Sequence, residues 1–208
     1  MFNYIRDPAK IYARSFEIIR SETDLSSIPK DAQDIAVRII HSCGMPEIVS
    51  ELMITEDFTS AARKALANKR PILVDVEMVH HGIIARQLPE GVELICTLND
   101  PRAREIGISQ SITRTAAATQ LWKENLEGSI VVIGNAPTAL FALLEMIDAG
   151  SANPACIVGF PVGFVGAAES KQELIANPRG LPFATIKGRK GGSAMASSVI
   201  NALTSDIQ

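Results

Sequence analysis

The chain has 208 residues, 47% of them hydrophobic and 5% aromatic, so one domain with a large aliphatic core can form. A formal net charge of -3 excludes a nucleic-acid-binding protein that relies on a global basic field. The three cysteines lack CxxC spacing, which argues against a disulfide framework or a zinc site and indicates a reducing cytoplasm. We find no apolar run near the ~20 residues of a membrane span and no signal peptide, so we expect no membrane association.

Apolar periodicity predicts an α/β fold over residues 1–208, a single domain with a mainly parallel sheet and helices on both faces. The first helix is expected to bury a stripe formed by Ile11, Tyr12, Phe16, Ile18 and Ile19. Strands are predicted at residues 51–55, 71–75, 92–97, 130–133, 155–158 and 181–186. Helices are predicted at residues 7–22, 29–44, 57–68, 109–125, 137–150, 169–176 and from 193 onward.

Residues 129–150 form the central unit, with an apolar strand, a glycine turn and a helix that begins at Pro137. Ligands of parallel sheets bind beyond the carboxyl ends of the strands, so we expect a ligand at the turn formed by residues 134–137. Asp75 and Glu77 follow another strand at the same edge of the sheet. Asp75 is a candidate for either a functional or a capping role.

His41 is the most plausible proton-transfer group from the residues alone. It lies in the last turn of the second helix, three residues after Arg38, and Gly44 ends that helix. Imidazole transfers protons near neutral pH. A histidine at this position can also simply cap the helix end.

Ser15 shares a helix face with apolar residues, and its hydroxyl can bond back to the carbonyl of Ile11. Candidate anion sites surround Arg38, then Arg114 at a helix start, and finally Arg189 and Lys190 in a glycine loop before the last helix. These positions favour a polyanionic small molecule.

Two other site types are not expected. Adjacent side chains on a helix diverge by about 100°, so we expect no metal at His80 and His81. GNAPTA lacks the later glycines of a dinucleotide fingerprint, and the GRKGGS loop is not a Walker motif.

Seven stretches in order along the chain carry a resemblance to a known family. They are RDPAKIYARSFEIIRSE, RIIHSCG, ILVDVEMV, SITRTAAA, IVVIGNAPTALFALLE, GFPVGFVGAAESK and GRKGGS. Together they cover nearly the whole length, and the chain resembles precorrin-8X methylmutases and their cobalt-precorrin-8 counterparts.

The resemblance implies a parallel α/β fold, a homodimer with active sites near the subunit interface, and an isomerase of the corrin pathway to cobalamin that uses no cofactor. Such an enzyme moves a methyl group of its tetrapyrrole substrate from C11 to C12, giving hydrogenobyrinate from precorrin-8X or cobyrinate from the cobalt form. The family's catalytic histidine matches His41, and its substrate-contacting serine and arginine match Ser15 and Arg38. Contacts of Arg114, Arg189 and Lys190 with substrate carboxylates are our own addition.

Two alternatives remain at this point. A tetrapyrrole carrier without activity would need the basic residues but not His41. A nucleotide-dependent enzyme would need a phosphate fingerprint that we do not find. The motifs do not distinguish a substrate that holds cobalt from one that does not.

Overall fold

One six-stranded sheet organises the chain in the computed structural model, which describes residue 2 and residues 4–205. The strand order is β1-β6-β5-β4-β2-β3, and β1 is antiparallel to β6 while the other neighbours are parallel. The strands are β1 (Leu52–Ile54), β2 (Ile72–Val74), β3 (Leu94–Cys96), β4 (Ile130–Ile133), β5 (Cys156–Gly159) and β6 (Phe183–Ile186).

The described residues also form α-helices and three short 3-10 helices, the latter at Lys30–Ala32, Pro46–Glu51 and Ala85–Gln87. The α-helices are α1 (Pro8–Glu22), α2 (Gln33–Cys43), α3 (Phe58–Ala67), α4 (Glu77–Gly82), α5 (Pro101–Gln110), α6 (Arg114–Gln120), α7 (Pro137–Asp148), α8 (Ala167–Ala176) and α9 (Ser193–Thr204). Within the described ranges, no helix is both long and apolar enough to cross a membrane.

The central strands are buried on both faces, which explains why they read as unbroken apolar runs. In β2, Ile72 and Val74 pack with α2, α3, α4 and α9, whereas Leu73 packs with α7 and α8 on the opposite face. The predicted fold, a mainly parallel sheet with helices on both faces, is therefore confirmed.

Two predictions about helices are wrong. The helix expected over residues 109–125 is interrupted, because Ser111 takes a left-handed conformation (φ 54°) that ends α5. The Thr113 hydroxyl then accepts a bond from Ala116 N and starts α6. Helix α5 was not predicted, although Asp100 caps it and Pro101 begins it.

The predicted buried stripe of the first helix is largely exposed. Only Ile19 of α1 is buried, whereas Ile11, Tyr12 and Ile18 are 42%, 48% and 37% exposed. The helix packs beside α2 through Phe16 and Ile19 rather than on the sheet. Part of its apolar face consequently remains uncovered in a single chain.

Candidate functional site

The turn formed by residues 134–137, which was expected to hold a ligand, donates its backbone hydrogen bonds to a side chain of the protein instead. Asp75, which is almost fully buried, accepts hydrogen bonds from the backbone N–H groups of Gly134, Asn135 and Ala136 at 3.0, 2.9 and 2.8 Å. Burial raises the pKa of this carboxyl, while the three amide donors act to lower it. The capping role of Asp75 is therefore the one that the structure shows, and these amides are not free to bind an anion.

Close packing also fixes the glycine of this turn. A Cβ on Gly134 would lie 2.6 Å from Val79 Cγ2 and 2.9 Å from Ser193 Cα, so only glycine lets α4 and α9 approach β4 this closely. The turn supports the helices around it and is not itself an open site.

A cavity of about 420 Å³ lies beside α4 and α9, the helices that pack on this turn. Since α4 follows β2 and α9 follows β6, the cavity lies toward the carboxyl edge of the parallel strands. Its lining comes from α1, α2, α4, the residue Ile84, and α9: Tyr12, Arg38, His41, Ser42, Met78, Gly82, Ile84, Ser193, Ala194, Ser197, Ser198 and Asn201. Gly192 provides no side-chain cap, and a helix leaves its first amides without intrahelical partners, so α9 presents polar groups to this space.

His41 is not the cap of its own helix. The last carbonyl groups of α2 accept bonds from Ser42 Oγ, Cys43 Sγ and Gly44 N. Within the described residues the ring nitrogens of His41 form no hydrogen bond. The ring packs instead against Tyr12 and Phe16, with centroid distances of 5.6 and 5.4 Å. Its nitrogens are thus available to a ligand.

Ser15 lines a second cavity, of about 280 Å³, which it shares with His41, Ile40 and Glu22. No bond from its hydroxyl to the Ile11 carbonyl is present in the described part of the chain, so the back-bonded alternative for Ser15 is not what the structure shows. His41 lines both cavities, and it shares the smaller one with Ser15 and the larger one with Arg38.

Arg38 is half-buried in the larger cavity, and across residues 2 and 4–205 we find no ion pair or hydrogen bond to its guanidinium. A partly buried cation with no anion is well suited to bind a carboxylate.

The other predicted cations do not line either cavity. Arg114 is exposed at the start of α6, on the face of the sheet opposite α2 and α9. Arg189 stacks on Phe164, 5.4 Å from the ring centroid, and Lys190 Nζ lies 3.4 Å from Glu51 Oε1. The first residues of α9, rather than Arg189 and Lys190, reach the cavity from the glycine loop.

The contribution of α9 to the cavity was not predicted from the sequence. Ser193, Ser197 and Asn201 are spaced i, i+4 and i+8, a polar stripe on a mostly apolar helix, and this spacing was the available signal. Asn201 Oδ1 accepts from Ile84 N at 2.8 Å, and Asn201 Nδ2 donates to Gly82 O at 2.9 Å. Asn201 therefore fixes the end of α4 against α9 at the wall of the cavity.

Comparisons with known proteins agree with this architecture. The family model described as precorrin-8X methylmutase matches residues 10–206. A protein from Sinorhizobium named precorrin-8X methylmutase is 53% identical over 202 residues, covering 97% of this chain and 96% of the relative. One with the same name from Pseudomonas aeruginosa is 50% identical over 206 residues, covering 99% of both.

A solved structure supports the same assignment. The precorrin-8x methyl mutase of Thermus thermophilus superimposes with a TM-score of 0.85 at 32% identity, covering 94% of each chain. The family model matches residues 10–206, and the relatives align over nearly their whole length. This chain therefore belongs to the precorrin-8X methylmutase family, isomerases of cobalamin biosynthesis.

Proposed function

We propose that this chain moves the methyl group of precorrin-8X from C11 to C12, giving hydrogenobyrinate, with His41 as proton donor or acceptor. The observation that carries the proposal is the position of His41, which lines two cavities and whose ring nitrogens have no hydrogen-bond partner among the described residues. An intramolecular methyl shift on a conjugated ring needs no nucleophile. It needs a proton held near a ring nitrogen or carbon while electron density redistributes, and imidazole can supply it.

The metal-free substrate is proposed because the relatives from Sinorhizobium and Pseudomonas aeruginosa are named for precorrin-8X, without cobalt. The carrier alternative is not favoured, since these relatives are named as mutases.

Carboxylates of the substrate are proposed to bind Arg38 and the first turn of α9, with Ser15 orienting the ring or His41. Arg38 supports this role because no acidic side chain in the described structure neutralises it. Arg114, Arg189 and Lys190 are proposed to contact more distant carboxylates. Of these, Arg114 and Lys190 have the weakest support, because Arg114 lies on the opposite face of the sheet from the cavity and Glu51 already lies beside the amine of Lys190.

We also propose that this chain forms a homodimer in the cytoplasm. Apolar side chains of α1 remain exposed, and Phe164 and Val165 of the loop before α8 are 82% and 90% exposed. A second copy of the chain would cover such surfaces. The free thiols of Cys43, Cys96 and Cys156 are consistent with a reducing compartment.

The test follows conversion of precorrin-8X by absorbance, because moving the methyl group changes the conjugation of the ring. His41→Ala should bind hydrogenobyrinate about as well as the native chain and lose roughly 10²–10⁴-fold in turnover, the usual contribution of general acid–base catalysis. Normal turnover by this variant would overturn the role of His41.

Arg38→Ala tests binding separately. Loss of a charge-assisted hydrogen bond, worth about 1.5–3 kcal/mol, should weaken corrinoid affinity roughly 10–150-fold in a titration. Arg104→Ala is the matched control, since Arg104 is exposed on α5 and lines neither cavity. Equal affinities of the two variants would contradict the assignment of Arg38.

A further inference from the structure

Helix α4 brings three metal-ligating side chains together on its outer side. Glu77, His80 and His81 each place one donor atom within 4.8 Å of the donor atoms of the other two. The histidine rings do not diverge as the helical spacing suggests, and their centroids lie 5.2 Å apart. None of the three residues lines the cavities around His41.

Neighbouring contacts orient two of these ligands. His81 Nδ1 lies 2.9 Å from the main-chain oxygen of Glu77. A carbonyl can only accept, so Nδ1 carries the hydrogen in this contact and Nε2 keeps its lone pair. Asn99 Nδ2 donates to Glu77 Oε1 at 3.0 Å and holds the carboxylate in place. Metal-binding histidines and carboxylates typically have supporting bonds of this kind.

We propose that Glu77, His80 and His81 bind one divalent first-row transition ion of the Zn²⁺ type. Two imidazoles and one carboxylate suit such ions, whereas Mg²⁺ and Ca²⁺ prefer oxygen ligands alone. The side chains of His81 and Glu77 are 77% and 41% exposed, so the ion can enter from solvent and complete its coordination with water.

The site is separate from the proposed chemistry but adjoins its cavity. Met78 and Gly82, on the same short helix, line the larger cavity, and Asn201 bonds the main chain of Gly82. An ion bound to α4 would hold together its first and last turns and stiffen this wall.

The test uses the purified full chain after treatment with a chelator, titrated with Zn²⁺ alone by calorimetry. We expect one ion per chain. Glu77→Gln and His80→Asn should each weaken binding by at least about tenfold, and Asn99→Ala by roughly tenfold, as for loss of a supporting bond. The chain contains three histidines, so His41→Asn, which removes the remaining one, is the matched control and should bind Zn²⁺ as the native chain does.

Co²⁺ gives a second readout, because a Co²⁺ ion with imidazole ligands absorbs visible light. Glu77→Gln and His80→Asn should reduce this absorption. Glu77→Gln keeps the size of the side chain, so it decides the question if His80→Asn fails to fold. The proposal is overturned if the native chain shows no saturable Zn²⁺ binding, if binding survives the two ligand substitutions, or if His41→Asn abolishes it. Because the readouts are metal binding, they are independent of methyl transfer.

Discussion

Replacing Asp75 with asparagine tests the internal bonding of the central turn. The Oδ2 atom of Asp75 accepts from Asn135 N and Ala136 N, and its Oδ1 atom accepts from Gly134 N. An amide retains only one acceptor oxygen. The best orientation of the substituted amide keeps that oxygen at the Oδ2 position and points its NH₂ group at Gly134 N, donor against donor.

The expected loss of stability in Asp75→Asn follows from this geometry. One backbone N–H and one side-chain NH₂ group would be buried without acceptors, each at about 1–3 kcal/mol. Burial raises the pKa of Asp75, so the neutral amide also escapes a desolvation cost, which offsets part of the loss. We therefore expect a net destabilisation of about 2–4 kcal/mol. For a chain of this size, that lowers the melting temperature by roughly 4–16 °C.

The assay is thermal unfolding monitored by circular dichroism, with Asp100→Asn as the matched control. Asp100 caps α5 near the surface through Arg102 N and also pairs with the Arg102 guanidinium. Asn is about as good a cap as Asp, and a surface ion pair adds at most about 1 kcal/mol, so the control should lose less than about 1 kcal/mol. Turnover of Asp75→Asn well below its melting temperature should remain, because Asp75 does not line the cavity. A variant as stable as Asp100→Asn would refute the reasoning, since it would show that the three amides do not need a carboxylate.

Three further substitutions have defined outcomes. Burial lowers the pKa of Lys171 from 10.5 to about 8, so the unfolded chain binds this proton more tightly and Lys171 alone should add up to about 3 kcal/mol of stability as the pH rises between those values. Burial raises the pKa of the Cys43, Cys96 and Cys156 thiols, which has the opposite effect, so the contribution of Lys171 is the difference in pH dependence between the native chain and Lys171→Met in urea unfolding, and an equal pH dependence would contradict it. Gly134→Ala should lose about 1–3 kcal/mol in thermal unfolding because its methyl group would overlap Val79, and an unchanged melting temperature would contradict that packing. Lys190→Ala should weaken corrinoid binding less than Arg38→Ala in parallel titrations, and the reverse order would show that the Glu51 contact does not neutralise Lys190.

Most of the sheet could be predicted because its strands are short apolar runs, buried on both faces, that alternate with helical periodicity. The antiparallel pairing of β1 with β6 could not be predicted from the sequence, since pairing direction depends on the path of the chain between strands. The break at Ser111 was missed for a similar reason. A left-handed serine leaves no mark in the hydrophobic pattern, and the residues on both sides favour helix.

The candidate site was predictable only where its geometry is local. Arg38 and His41 are three residues apart on one helix, so their proximity follows from helical spacing alone. The contribution of Asn201 depends on α4 and α9 meeting across more than a hundred residues, as its bond to Gly82 shows. A helix start such as that of Arg114 can be read from the sequence, but the face of the sheet on which it lies cannot.

Two cationic side chains of this chain, unlike Arg38, already have hydrogen-bond acceptors in the fold. Arg179 binds the carboxylates of Asp148 and Glu173, and these contacts raise its pKa. Lys171 is fully buried and donates to the main-chain oxygen of Lys190. Such groups already have their acceptors, so a ligand would have to break an existing bond to reach them. Arg38 forms no ion pair or hydrogen bond within the described structure, and it is half-buried. A carboxylate that enters its cavity would restore the interactions that partial burial removes, because a desolvated charge is stabilised most by an opposite charge nearby. Both residues are arginines, and the difference in role arises because the fold pairs Arg179 with two acids, whereas Asp34, one helical turn before Arg38, pairs with Arg20.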